Sequence, residues 1–420
     1  MSLFNNIHKW LMLLLMALST QALAIELVVW EDIGKGQALS KAADDFTSLT
    51  GVKVKIVEFR YIYALERLRL DGPAGTGPDV LLLPVDLLGS AVSEGMISPI
   101  YITPKEKSRY VEKALIASTY KDELYMLPKN IESLALFYNK KILEKPFDTL
   151  DEYYNFAKEL RRIDKYGFVA KFDDLYYAYT VLGPYGAYIF DKKKYPASKS
   201  YFYDIKNMGL AGEGAVEGVK VLSKFFNEHL FPSYVEGRSD FNSVVNLFAK
   251  GKTASAILGS YDLMTIKNSN IDFGTAPMPI LPNGKRMHGF FGVRGYAISH
   301  WSSKYNLAVK FAKFVTQDQY SLDRYSQTLE LPATVDALKS EVIKDSPYAS
   351  AFIEECREAT IIPSVPATPE VWSPYAEKLH KIFSRKSPLE QGLKDVEEEI
   401  KRNIDAQNEQ YRYGYDGTRM

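Results

Sequence analysis

The chain has 420 residues, 46% of them hydrophobic and 25% charged, with 52 Lys+Arg balanced by 52 Asp+Glu. The balance leaves no overall field that would recruit nucleic acid or an anionic membrane, and the length allows two or three domains of about 100–200 residues each. The single cysteine, Cys356, excludes an internal disulfide framework.

Residues 1–24 read as a targeting segment. Lys9 supplies a positive start, and Trp10 to Leu18 is an apolar run, too short for a comfortable membrane span of about 20 residues. Ala22-Leu23-Ala24 is a small-x-small cleavage signature, so cleavage after Ala24 and export to the periplasm are expected. No cysteine near the cleavage point offers a site for a lipid anchor. Lys9 is the only charged residue removed, which leaves 51 − 52 = −1 on the remainder.

Ile25 to Trp30 is a short apolar strand. Glu31 to Gly36 is a turn-rich loop into a helix with Ala38, Leu39, Ala42, Ala43 and Phe46 on one face, ended by Gly51. Val52 to Phe59 alternates at period two and predicts a second strand. Tyr61 to Leu70 is helical, Asp79 to Pro84 a buried strand, and Leu87 to Gly95 helical again. This rhythm predicts an α/β fold with an open, mostly parallel sheet. Ligands bind beyond the carboxyl ends of such strands, where Asp32, Lys35 and Asp86 fall.

Asp122 to Lys140 organises the rest of the chain. Its apolar, strand-like passage reads as a crossing from one lobe to another. Pro128 cannot donate a ladder hydrogen bond and is expected at a strand start or edge. Glu132, a carboxylate inside an apolar run, needs a partner or a wet cleft, and is expected to look into the gap between lobes.

Leu150 to Arg162 is an amphipathic helix, and Phe168 to Tyr188 is rich in tyrosine, with Tyr176 and Tyr179 three apart on a helical face. Val216 to Glu228 and Phe241 to Lys250 read as helices. Gly251 to Leu258 is a turn and strand that ends on Gly259-Ser260-Tyr261, and Phe273 to Pro279 is a strand entering a proline-rich loop. Gly289 to Ser299 reads as a strand pair or a second crossing. Trp301 to Val315 is a helix capped by Ser302 or Ser303. Thr328 to Thr334 connects two helices, Ile361 to Trp372 is irregular and proline-rich, and Ala376 to Tyr411 is helical and charged. Gly414 to Met420 is expected to be a disordered tail. Crossings near 130, 290 and 330 make a hinge between a lobe of residues 25–130 plus 290–330 and a lobe of 131–289 plus 331–413.

Gly251-Lys252-Thr253 resembles the end of a phosphate-binding loop, but Asn246 stands where that motif needs glycine. The chain has no HExxH, CxxC or GxSxG motif, and its five histidines are spread out, so neither metal nor cofactor is expected. Asp86 and Glu132 fit two readings: a glycosidase acid/base pair, or acceptors for sugar hydroxyls that do not react. Of the 29 Tyr, 22 Phe and 4 Trp, most belong to the core. Tyr176, Tyr261 and Trp372 are candidates for ligand-facing rings, because a flat apolar face with a polar tip suits carbohydrate. Arg294, among glycines, is either a lobe–lobe ion pair or a donor fork to a hydroxyl or carboxylate.

Eight pieces in order resemble the extracellular solute-binding proteins of ABC importers, in the cluster that includes the maltose-binding protein. They are VVWEDIGKG, LTGVKVKI, GTGPDVLLLPVD with SEGMISPI, the segment from KDELYMLPKN to NFAKEL, FAKGKTASAILGSYD, FGTAPMPILPNG and PSVPATPEVW. The resemblance covers nearly all of the mature chain. It implies two α/β lobes with a hinged cleft, the type II-like periplasmic binding-protein fold. Glu132 and Asp86 fall on acidic sugar-binding positions of that protein, Lys35 on its N-terminal-loop lysine, and Asp174 and Tyr176 on its acidic and aromatic second-lobe pair. Tyr261 stands in place of a stacking tryptophan, and Trp372 matches a later one. Gly34 replaces an acidic residue for which Asp32 is the expected substitute; Leu83 replaces an aromatic and Arg294 a small apolar residue. The resemblance implies a monomeric receptor that passes a sugar to a membrane permease. A receptor of the same fold for an anionic or other small solute, and an exported glycoside hydrolase using Asp86 and Glu132, are the alternatives.

Overall fold

The computed structural model describes residues 25–194, 201–232 and 242–416. The leader with its cleavage point lies outside these residues, as do the last four residues of the expected tail. The tail's first three residues, Gly414 to Asp416, instead continue the final helix Leu389–Asp416.

β1 (Glu26–Glu31), β2 (Lys53–Glu58) and β3 (Val80–Pro84) lie parallel in the order β2-β1-β3. The helix Ser40–Thr50 between β1 and β2 stops at Gly51, whose φ of 72° a residue without Cβ adopts freely. β4 (Met126–Glu132) belongs to the same sheet, but β5 (Leu134–Asn139) belongs to another. Only Ser133 separates them, so the chain changes sheets within one residue. β5 is the centre of a smaller antiparallel sheet, between β6 (Ser255–Gly259) and β7 (Phe273–Ala276). The chain then returns through β8 (Phe290–Ser299) and, after the helix Asp318–Thr328, reaches β9 (Leu331–Pro332).

The larger sheet runs β9-β4-β8-β3-β1-β2. It is mixed rather than mostly parallel, since β8 is antiparallel to both β3 and β4, and β9 to β4. β4 and β8 are passages between sheets, so the strand–helix–strand connection that aligns β1 to β3 does not govern them. The stretch read as a strand pair or a second crossing forms one long buried strand, Phe290–Ser299.

Pro128 sits inside β4 rather than at its start. The register on β8 shifts between Arg294, opposite Asn130, and Gly295, opposite Pro128, which leaves Lys129 as an extra residue. On the other side β9 reaches only Asn130 and Ile131. A bulge on one side and no strand partner on the other leave no ladder bond for Pro128 to supply.

Two helix starts also differ from expectation. The helix after β8 begins at Tyr305, with Lys304 as an uncapped N-cap. The Ser302 hydroxyl is engaged earlier, donating to Asp79 Oδ1 at 2.6 Å and accepting from the Lys304 N–H. The proline-rich run ends sooner than expected: Pro369 opens the helix Pro369–Phe383, a position where its missing N–H costs nothing. Trp372 therefore stands on a helix, not in an irregular loop.

Most of the rings are core, as their number implies. Phe46 meets Phe311 edge-on at 5.2 Å beneath the larger sheet. In the other half Phe226 stacks on Phe383 at 3.9 Å and Phe225 on Phe231 at 5.2 Å.

Candidate functional site

A cavity of about 600 Å³ opens where β1, β2 and β3 end and where β4 and β8 pass between the sheets. Asp32 follows β1, Arg60 and Tyr61 follow β2, and Asp86 follows β3. Glu132 at the end of β4, with Gly292, Val293 and Arg294 of β8, forms the floor. The opposite wall carries Asp174, Tyr176, Tyr177, Tyr261, Asp262 and Trp372. Of the nine residues singled out in the sequence, eight line this one space: Asp32, Asp86, Glu132, Asp174, Tyr176, Tyr261, Arg294 and Trp372.

Lys35 does not line it. Its ammonium is drawn to Glu330, 3.7 Å away. The sequence reading also passed over Arg60, Tyr61, Tyr177 and Asp262. The rule that selected Asp32 and Asp86, a position beyond the carboxyl end of a strand, applies equally to Arg60 and Tyr61 after β2. Asp262 follows Tyr261 directly.

Arg294 is the centre of the floor. Its Nε lies 2.6 Å from Glu132 Oε1, its Nη1 donates to Asp32 Oδ2 at 3.0 Å, and its guanidinium lies 4.1 Å from the Tyr61 ring centre. Asn130, the β4 residue opposite Arg294, also donates to Glu132 Oε1, at 3.0 Å. The flanking glycines make room for this packing. A Cβ on Gly295 would sit 2.8 Å from the Met126 Cβ, and one on Gly292 would sit 3.2 Å from the Glu132 Cβ. Similarly, a Cβ on Gly259 would fall 2.1 Å from the Tyr261 ring. Only glycine there lets that ring lie across the backbone.

The rings form a connected wall. Trp372 packs against Tyr176, with ring centres 6.4 Å apart, and edge-on against buried Phe290 at 5.8 Å. The Tyr177 and Tyr261 hydroxyls are 3.2 Å apart. Tyr176, Tyr261 and Trp372 are each only partly buried, so some of each ring faces the cavity.

Burial raises three of the lining carboxyls. Asp86 is pushed up to about 6 by desolvation, against the pull of its own backbone N–H and of Arg294. Asp174 is raised to about 6 for the same first reason, although it accepts the Tyr176 N–H at 2.8 Å as the helix cap. Asp262 reaches about 7, with burial outweighing the hydrogen bond from the Gly259 N–H. The Tyr176 and Tyr261 phenols are driven well above their ordinary value by burial and stay neutral. The site thus combines flat apolar faces with closely spaced acceptors and hydroxyl donors. Among the described residues, no group of three or more His, Cys, Asp or Glu is placed to hold a metal ion.

Residues 41–351 match the family model described as bacterial extracellular solute-binding protein. The galactooligosaccharide-binding protein of Bacillus subtilis (strain 168) is 37% identical over 385 residues, 91% of this chain and 90% of that protein. Among solved structures, a cyclo/maltodextrin-binding protein complexed with maltotetraose has a TM-score of 0.81 at 32% identity, covering 90% of this chain and 97% of its own. The maltose-binding periplasmic protein of Listeria monocytogenes, in complex with maltose, has a TM-score of 0.79 at 30% identity, covering 91% and 98%.

Proposed function

The chain belongs to the bacterial extracellular solute-binding protein family, and from that premise we propose that the cavity between its two lobes is where it captures its ligand. It is a sugar- or oligosaccharide-binding protein of an ABC importer, a receptor and not an enzyme, and it works with a membrane permease. The finer reading is ours. Trp372, Tyr176 and Tyr261 cover the C–H faces of the sugar rings, and Asp86, Glu132, Asp174 and Asp32 accept hydrogen bonds from the hydroxyls. Arg294 orients the floor. Lys35 supports the hinge through Glu330.

The observation that carries this reading is the convergence, in one 600 Å³ cavity, of three partly exposed rings and five carboxyl groups. A pocket of that size suits a small oligosaccharide. Hydroxyls left without partners would cost about 1–3 kcal/mol each, so recognition depends on complete pairing. We take the lobes to be residues 25–130 plus 290–330 and 131–289 plus 331–413, with the chain crossing between them near 130, 290 and 330. Closure follows the ligand's higher affinity for the closed arrangement. The leader is removed after Ala24 and the monomeric receptor acts in the periplasm. A thermal-shift and calorimetric screen of galacto- and malto-oligosaccharides tests the reading. One series raises the melting temperature and saturates at one site; if none binds, the reading is wrong.

A further inference from the structure

We propose that Arg294 is the built-in counter-ion of the cleft, which positions Glu132 and Asp32 and thereby makes the site select uncharged sugars over anionic ones. The inference rests on the sugar-binding reading and decides the charge class of the ligand.

An arginine on the floor of a binding cleft is ordinarily an anion receptor, since its planar fork matches a carboxylate. Here the fork is already engaged. One edge meets Glu132 at 2.6 Å, another meets Asp32 at 3.0 Å, and a flat face rests against Tyr61. Arg294 is only 7% exposed. With Nε held by Glu132 and Nη1 by Asp32, a ligand carboxylate taking either donor would displace one of these acids and leave it partly buried without its partner.

The surroundings point the same way. The lining carries five carboxyl groups, Asp32, Asp86, Glu132, Asp174 and Asp262, against two guanidinium groups, Arg60 and Arg294. Among the described residues, Asp86, Asp174 and Asp262 take part in no ion pair. An acidic sugar would enter a space dominated by like charge, whereas hydroxyls would find acceptors. Asn130 and Arg294, neighbours across β4 and β8, both hold Glu132 through Oε1. The carboxyl group is thereby fixed before the ligand arrives, and preorganisation of this kind strengthens binding.

The test is calorimetric titration of the full mature chain with a neutral trisaccharide of the series it binds and with trigalacturonate. Wild type, Arg294→Lys and Arg294→Met are compared, with melting curves for each. Wild type should bind the neutral sugar at least about 100-fold more tightly than the acidic one. Arg294→Met should lose about 10- to 100-fold in affinity for the neutral sugar, as expected when one member of a buried charge pair is removed, without gaining the acidic one. Arg294→Lys should recover part of the loss. Trigalacturonate binding as tightly as the neutral sugar, or an Arg294→Met protein of unchanged neutral affinity, overturns the proposal. Should Arg294→Met fail to fold, the two ligands on wild type decide alone. If neither sugar class binds, the sugar-binding reading itself falls and takes this inference with it.

Discussion

Two basic residues on the crossing strands, Lys129 and Arg294, are each held between two carboxylates, yet they serve different ends. Lys129 is sealed: its Nζ lies 2.9 Å from Glu31 and 3.2 Å from Glu330, with no side-chain exposure. The Tyr296 hydroxyl donates to Glu31 at 2.8 Å, and Arg324 donates to the Lys129 carbonyl at 3.2 Å. Arg294 lies at the floor of the open cavity, between Glu132 and Asp32. Glu31 ends β1 and Asp32 follows it directly, and one acid serves each cluster. The sealed cluster ties β1, β4, β8 and the segment before β9 to one another. The open one compensates charge while leaving acceptors for a ligand. The difference teaches that one motif, a cation between two acids, acts as a fastener without water and as a preset floor with it.

The largest effect should come from breaking the sealed side. Lys129→Met leaves Glu31 and Glu330 buried without their cation and should cost about 3–5 kcal/mol of stability in urea unfolding. A loss under about 1 kcal/mol would mean that the two clusters do not differ in this way. On the open side Trp372→Ala should weaken sugar binding by about 1–3 kcal/mol, while the melting temperature of the ligand-free protein barely moves. Unchanged affinity would show that the ring wall is not the platform.

The sealed cluster and the unpaired acids lining the cavity should also respond to pH with opposite sign. Burial would raise Glu330, but Lys129, Lys35, Arg294 and Arg324 hold it down to about 2. That is below the unfolded carboxyl value of about 4.3, so its stabilisation is present above that pH and lost as pH falls towards 2. Asp86, Asp174 and Asp262, at about 6, 6 and 7, lie above the unfolded value of about 3.9. Their contribution is most favourable below about pH 4 and is lost as pH rises through 6 to 7. Asp262→Asn keeps an acceptor for the Gly259 N–H and removes the charge. It should stabilise the ligand-free protein at pH 8 by on the order of 1 kcal/mol, discounted for its contact with cavity solvent, and leave it unchanged at pH 4.5. Equal melting shifts at both pH values would place the effect in packing instead. The smallest effect belongs to Lys35→Ala. Its pair with buried Glu330 is long, at 3.7 Å, and Lys129 still neutralises that acid, which predicts a loss of about 1 kcal/mol or less in stability and none in affinity. A tenfold loss of sugar affinity would return Lys35 to the site.

Much of the site was legible before any coordinates. Strand ends marked Asp32 and Asp86, and an acid inside an apolar run marked Glu132. The late Trp372 was legible through the resemblance of PSVPATPEVW to a known stacking position. Arg60, Tyr61 and Asp262 were missed although the same kinds of signal marked them. The diversion of Lys35 was not readable, because Glu330 lies almost three hundred residues further along the chain.

What the amino-acid sequence determined by itself is what neighbours along the chain dictate: the alternation of β2, the glycine stop at Gly51, the buried run of β4 and the family pattern. What only the tertiary structure decided depends on residues far apart in sequence meeting in space. Arg294 and Asp32, 262 positions apart, pair at 3.0 Å, and that contact turns an apparent anion receptor into an internal counter-ion. Pro128 is tolerated within β4 because β4 itself bulges at Lys129 against β8 and β9 stops short. Local periodicity carries no record of such partners, since it reports which face of an element is apolar and not what will come to lie against it.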